Sequence, residues 1–260
     1  MKIVIFASGS GGNCMLLSDG DTHLLIDAGI SLRRIESALA HAGLTVYDIA
    51  GVLITHEHAD HISGLGMLLK RRPLPLYAPH TVAARLCGKL PAAEECMRVI
   101  PVGERFAVGG VQVRAFHTPH DTDESVGYRV EGTGCFALAT DMGHVTDEVA
   151  DGLRGADTVL IESNHDLSML VDGGYPIYLK RRILSARGHL SNADCANLAA
   201  QLVRAGTKTV ILGHLSRENN RPELALAETA RLLEGTGAEL CCAPVSGFFE
   251  REVKRTSCCI

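Results

Sequence analysis

Tryptophan is absent from this chain of 260 residues, and aromatic side chains make up only 4% of it. The core must therefore be made from Leu, Val, Ile and Ala. No apolar run approaches the roughly 20 residues a spanning helix needs, which excludes a membrane protein of that kind. The opening Ile3-Val4-Ile5-Phe6 is broken by Ser8-Gly9-Ser10-Gly11-Gly12-Asn13 too early for an export signal. Basic excess is lacking as well: Lys+Arg number 25 against Asp+Glu 30, a net charge of -5. A general nucleic-acid coat is not expected, although a local basic patch is not excluded. The nine cysteines form no C-x-x-C pair and no even framework, so they read as reduced thiols packed as small hydrophobes. The tail Ser257-Cys258-Cys259-Ile260 has Ser where a prenylated Cys would stand. A soluble, cytoplasmic protein is expected.

What is present suits a globular fold. Hydrophobic residues reach 46% and charged ones 21%, enough to bury a core and too apolar for wholesale disorder. Strands are expected at Lys2–Phe6, Cys14–Ser18, His23–Asp27, Val52–Thr55 and near Leu76-Tyr77, with a turn at Asp19-Gly20. Ser31 is a candidate N-cap for a helix to about His41; further helices are expected over Gly64–Arg71 and near Thr81–Cys87. Strands follow in Gly110–His117, Ser125–Glu131, Cys135–Thr140, Asp157–Glu162 and Lys208–Leu212, with Ala238–Ala243 as a final strand. Helices are expected over Tyr178–Ala186, Asn192–Ala205 and Pro222–Glu234. Strands first and alternating elements later suggest two packed sheets with helices outside. No linker composition divides residues 1–260, so one domain is expected.

The chemistry concentrates in Thr55-His56-Glu57-His58-Ala59-Asp60-His61. Four ligand-capable side chains follow the apolar strand directly. Residues two apart do not share a helix face, so His56 and His58 must converge from a loop. Asp60 and His61 open the next helix, where a carboxylate suits the positive end of the dipole. The two pairs are then aimed at different points, which favours two adjacent metals over one. A solvated polar turn is the bland alternative.

This segment resembles the signature of the metallo-β-lactamase superfamily, and the remaining motifs occur in order. Leu25-Ile26-Asp27-Ala28-Gly29 looks like the first, Thr118-Pro119-His120-Asp121 the third, Ala139-Thr140-Asp141-Met142-Gly143 the fourth and Leu212-Gly213-His214 the fifth. The resemblance implies an α+β fold, a four-layer αββα sandwich. It also implies a first metal on His56, His58 and His120, a second on Asp60, His61 and His214, and Asp141 bridging them. Asp27 would support the metal loop, unless it merely caps a strand end. His117 competes with His120 and reads better as a strand residue. Five imidazoles and two carboxylates suit two divalent ions, zinc first, with Mn2+ or Fe2+ as alternatives. Such ions, about 3.5–4 Å apart, share a hydroxide that is a strong nucleophile at neutral pH.

Local features point further. Gly-His-Leu-Ser occurs at Gly188–Ser191 and again at Gly213–Ser216. Together with the Gly/Ser loop, Asn219-Asn220 and Ser163-Asn164-His165-Asp166, the second copy looks like the YycJ/WalJ-type branch, which implies a DNA exonuclease. Backbone N–H groups of a Gly/Ser loop hold anionic oxygens, and Ser8, Ser10, Asn13, Ser216 and Asn219 are the candidate phosphate contacts. An ordinary tight turn explains the loop equally simply. His189 is a candidate proton donor to the leaving oxygen, oriented by Glu162; with His214 this trio resembles extra motifs of nucleases such as ribonuclease J. His189 as a neighbour of a helix N-cap is the alternative. Asp60, Glu162 and His189 are the candidate catalytic residues. Lys180-Arg181-Arg182 and Arg187 form the best local basic patch, and no inserted domain that would grip a polynucleotide is evident. Phosphodiester hydrolysis on a nucleic acid or another phosphodiester is therefore the leading expectation. Its rivals are a thioester or lactone hydrolase on the same metals and a non-catalytic metal-binding regulatory module.

Overall fold

In the computed structural model, which describes residues 1–255, the strands form two seven-stranded mixed sheets. The first sheet takes β1 (Lys2–Ala7), β2 (Cys14–Asp19), β3 (Thr22–Ile26), β4 (Gly51–Leu53), β5 (Leu76–Ala78) and β6 (Met97–Val99). The second takes β7 (Arg105–Val108), β8 (Val111–His117), β9 (Val126–Glu131), β10 (Cys135–Ala139), β11 (Thr158–Glu162), β12 (Thr209–Gly213) and β13 (Glu239–Cys242). A last strand, β14 (Phe249–Glu252), returns to pair with β1 at the edge of the first sheet.

Alternation along the strands builds three apolar layers. In β1, Ile3 and Ile5 face the second sheet while Val4 and Phe6 face the other way. In β11, Leu160 faces between the sheets while Val159 and Ile161 face outward. A period of two with both faces apolar is what a sheet covered on both sides requires. The outer face of the first sheet is covered by α1 (Leu32–His41), α3 (Leu65–Arg71) and α4 (His80–Lys89), through Ile35, Leu39, Leu68 and Leu86. The outer face of the second is covered by α5 (Asp147–Leu153), α8 (Asn192–Arg204) and α9 (Pro222–Leu233), through Val149, Leu198, Leu202 and Leu233. Burying each such aliphatic side chain is worth about 1.5–3 kcal/mol relative to leaving it in water. The short α2 (Ala59–Ile62), α6 (Leu167–Asp172) and α7 (Ile177–Ile183) lie outside this scheme. The layering is the expected αββα sandwich.

Two expectations are corrected, and several elements are added. Ala238–Ala243 is not the final strand, because β14 follows it. Ser31 stands at the start of α1, but its side chain makes no capping hydrogen bond. The strands β6, β7 and β14 and the helices α5 and α6 were not foreseen. All seven described cysteines are free thiols; burial raises those of Cys135 and Cys241 to about 11. Cys258, Cys259 and the tail motif lie outside the described residues.

Candidate metal centre

Strand direction decides where the site forms. In the first sheet β1, β3 and β4 run the same way, and in the second so do β8, β10, β11 and β12. Their carboxyl ends meet at one edge of the sandwich. Ser8 follows β1, Asp27 follows β3, and the cluster from His56 to His61 follows β4. His120 follows β8, Asp141 follows β10, Glu162 ends β11 and His214 follows β12. Asp27, Asp141 and His214 have φ of 57°, 57° and 55°, and among the described residues they alone are non-glycine residues with positive φ. Such left-handed backbone costs about 1–3 kcal/mol and persists where its surroundings impose it.

The expected side chains converge. The rings of His56, His58 and His120 lie pairwise 4.6–5.0 Å apart. Ligand atoms of His56, His58 and His120 fall within 4.8 Å of one another, as do those of Asp60, His61 and His214, and those of His56, His61 and Asp141. Asp141 stands between the groups: its Oδ2 is 3.3 Å from Nε2 of His61, and its Oδ1 is 3.5 Å from Nε2 of His214 and 3.8 Å from Nε2 of His120.

Most of the rings turn Nδ1 outward to a protein partner and Nε2 inward. Nδ1 of His61 faces Oδ2 of Asp27 at 2.7 Å, Nδ1 of His214 faces Oε1 of Glu162 at 3.0 Å, and Nδ1 of His120 faces the Gly188 carbonyl at 3.3 Å. Opposite such acceptors Nδ1 must carry the proton, which leaves the Nε2 lone pair for an electrophile. Nε2 of His56, Nε2 of His214 and Oδ2 of Asp141 are buried without a hydrogen-bond partner. Orphaned buried polar atoms are costly, and His56 and His214 belong to separate ligand groups that Asp141 joins, a lining that fits divalent cations. The protonation balance agrees. Burial and the neighbouring histidines hold His56 well below the ordinary imidazole range. Burial also opposes charge on His61, yet Asp27 and Asp141 raise it to about 10. Burial works against ionisation of Asp141, but His214 and His61 keep its carboxyl well below the usual range. Excess buried anion is thus balanced by imidazolium protons, which a bound cation would displace.

Asp27 also accepts from the Thr55 amide and hydroxyl at 2.9 and 2.8 Å. Thr55 was not singled out, although it heads the histidine segment; its hydroxyl lies 3.1 Å from Nδ1 of both His56 and His61. Asp121, quoted with its motif but given no role, places Oδ1 3.3 Å from Nε2 of His120 and 3.7 Å from Nε2 of His58. His117 stands apart on the exposed end of β8, beside Glu148 and Glu124.

Glu162 is fully buried. Its Oε1 meets His189 as well as His214, and its Oε2 accepts from the Met142 amide at 2.8 Å. The two Gly-His-Leu-Ser segments therefore supply the two imidazoles flanking one carboxylate.

Of the candidate phosphate contacts, Ser8 and Asn13 border the cluster. The Ser8 hydroxyl is buried and accepts from the His214 amide at 2.9 Å. Asn13 accepts from the Gly9 amide at 2.8 Å, and its amide nitrogen lies 3.3 Å from Oδ2 of Asp60 and 3.0 Å from Nε2 of His61. Ser216 accepts from the Asn219 amide at 3.1 Å, and Asn219 is buried with its carbonyl on the Asp166 amide. Ser10 is exposed at the loop tip.

Comparison with known proteins shows the family. Residues 22–215 match the family described as the beta-lactamase superfamily domain, and the chain belongs to that family. Within it the chain falls in the YycJ/WalJ-like branch. It is 38% identical over 237 residues to exodeoxyribonuclease YycJ of Bacillus anthracis, covering 90% of this chain and 89% of that one. It is 39% identical over 230 residues to exodeoxyribonuclease WalJ of Streptococcus pneumoniae serotype 2 (strain D39 / NCTC 7466), covering 86% and 85%. The fold matches the metallo-beta-lactamase fold protein YhfI of Bacillus subtilis with a TM-score of 0.72 at 18% identity, covering 96% of this chain and 99% of that one.

Proposed function

We propose that residues 1–260 act as one hydrolase domain, a metal-dependent phosphodiesterase of the DNA exonuclease type holding two divalent ions, zinc foremost. The observation that carries this reading is the Glu162–His189 pair standing beside the inward-facing imidazoles. Its Nδ1 taken by Glu162 at 2.7 Å, His189 offers Nε2 for a proton to the departing oxygen of a phosphodiester. The ring centroid lies 5.3 Å from that of His120 and 5.4 Å from that of His214, which puts this proton at the margin of the cluster.

His56, His58 and His120 would hold one ion, Asp60, His61 and His214 the other, with Asp141 between them. Bound ions would neutralise a phosphate and lower the pKa of water. Asp27 and Thr55 hold His61 and His56 in the orientation that leaves Nε2 facing inward. Relatives named as exodeoxyribonucleases over most of the chain favour a nucleic-acid substrate. No helix among the described residues is long and apolar enough to cross a membrane, and a cytoplasmic location belongs to the same reading.

The test offers purified protein loaded with zinc or manganese three substrates: bis-p-nitrophenyl phosphate, an acyl thioester and end-labelled single-stranded DNA. Hydrolysis of the phosphodiester and progressive shortening of the DNA are expected. Turnover of the thioester alone would defeat the proposal.

A further inference from the structure

The segment between β11 and α8 is built outward from the site and leaves an unusual face in solvent. Ile177 is 66% exposed and Tyr178 72% exposed, with Leu184 at 48%. Along α7 and its C-cap Leu184, Arg181 lies three or four residues from each of these side chains, so it sits between Tyr178 and Leu184 on one outward stripe. The Arg181 side chain is exposed and makes no hydrogen bond or ion pair with any described residue. The inward position on the same helix is taken by buried Ile183. From residue 173 to residue 193 there is no acidic side chain, in a chain whose net charge is -5.

This face is fixed to the rim of the metal centre. Arg182 is paired with Asp121, which borders His120 and His58. Arg187 donates to the carbonyls of His120 and Thr122. The Ala186 carbonyl accepts from His144, and a side chain at Gly143 would collide with Ala186. Arg182 and Arg187 are thus occupied with protein partners, and Arg181 is left with its charge facing solvent.

We propose that the exposed stripe of α7 is a binding track for single-stranded nucleic acid, with a base stacked on Tyr178 and a phosphate on Arg181, leading the strand toward the cluster. This rests on the phosphodiesterase reading above. Charge selects the occupant. A second copy docked here by two-fold symmetry would set Arg181 and its basic neighbours against their own kind, whereas a polyanion with stackable bases complements both the cation and the ring.

The test uses metal-loaded full-length protein and a fluorescein-labelled, hydrolysis-resistant phosphorothioate oligodeoxynucleotide, read by fluorescence anisotropy across a salt series. Tyr178→Ala should weaken binding about tenfold or more, while Tyr178→Phe should retain it. An abasic strand should bind wild type and Tyr178→Ala alike. Arg181→Ala should lower the slope of log affinity against log salt by about 0.7. Hydrolysis of bis-p-nitrophenyl phosphate should be unchanged in all three variants. Unaltered affinity and slope would overturn the track, as would sedimentation showing a wild-type dimer that Tyr178→Ala dissociates. Track-dependent binding by a protein that fails to hydrolyse the small phosphodiester would sink the catalytic reading and leave the track standing.

Discussion

Oε1 of Glu162 lies 2.7 Å from Nδ1 of His189. The same oxygen also serves His214, so one buried carboxylate orients both a candidate proton donor and a candidate metal ligand. Burial alone would raise its pKa, but His189 and His214 bring it down to about 2. It therefore stays ionised throughout the range in which the protein would work.

Single substitutions should separate the two roles. His189→Ala should cut kcat on bis-p-nitrophenyl phosphate by about 10²–10⁴-fold while metal per chain, measured by plasma emission after dialysis, stays at the wild-type level. Glu162→Gln removes the charge facing both rings and should lower metal retention together with turnover. Equal metal loss in the two variants would show that His189 is itself a ligand.

Asp27 holds His61 and Thr55 at once and does so with a φ of 57°. Asparagine tolerates that backbone but lacks the second acceptor oxygen and the charge. Asp27→Asn should therefore fold yet bind its metal about 10–100-fold more weakly, as read by competition with a chromogenic chelator. Unchanged affinity would confine Asp27 to a structural role at the end of β3.

Gly29 packs its backbone against the metal loop. A Cβ there would stand 1.6 Å from the Asp60 carbonyl oxygen and 2.8 Å from the Asn13 amide. Both neighbours are main chain, so no side chain can swing aside. Gly29→Ala should cost about 1–3 kcal/mol or more in denaturant unfolding and displace Asp60, with reduced metal content in whatever folds. A variant of normal stability and full metal content would mean that the loop has slack not visible in its contacts.

How far the sequence could be read depended on how local each determinant is. The residues from His56 to His61 and the motifs around His120, Asp141 and His214 each follow an apolar strand, and parallel strands bring such ends together. The ligand candidates were legible for that reason. The protein partners of Ser8 and Asn13 were not, because the direction of a short polar side chain is a tertiary matter: the Ser8 hydroxyl meets a backbone amide 206 positions away. Thr55 was overlooked because nothing in a lone threonine shows that a distant aspartate will accept from it. The strand β14 reads Phe249-Glu250-Arg251-Glu252, too polar for a core strand, since it lies on the sheet edge with Glu250 and Glu252 exposed.

At the opposite end of the sandwich, Asp19 ties the β2–β3 turn to the β9–β10 turn by accepting from the amide and hydroxyl of Thr133. Burial opposes its ionisation, but these bonds from Thr133 prevail and its pKa falls below the ordinary value. A depressed carboxylate contributes stability in full above its unfolded pKa of about 3.9, and that contribution is lost as pH falls through the folded value. The stability gap between wild type and Asp19→Asn should be constant near neutrality and close below about pH 4. A gap that persists at lower pH would assign the effect to packing and not to charge.

Backbone strain at Asp141 can be weighed against its chemistry. Removing the side chain by Asp141→Ala or by Asp141→Gly abolishes the same contacts with His61 and His214. The two differ in backbone: at a φ of 57° alanine retains a left-handed penalty of about 1–2 kcal/mol that glycine lacks, while glycine's freer unfolded chain takes back about 0.5–1 kcal/mol. In metal-free protein, Asp141→Gly should therefore exceed Asp141→Ala in stability by up to about 1.5 kcal/mol, measured by urea unfolding. Neither should retain phosphodiesterase activity. If the alanine variant proves the more stable, the left-handed turn after β10 relaxes once its carboxylate is gone, and the strain belongs to the metal centre and not to the turn.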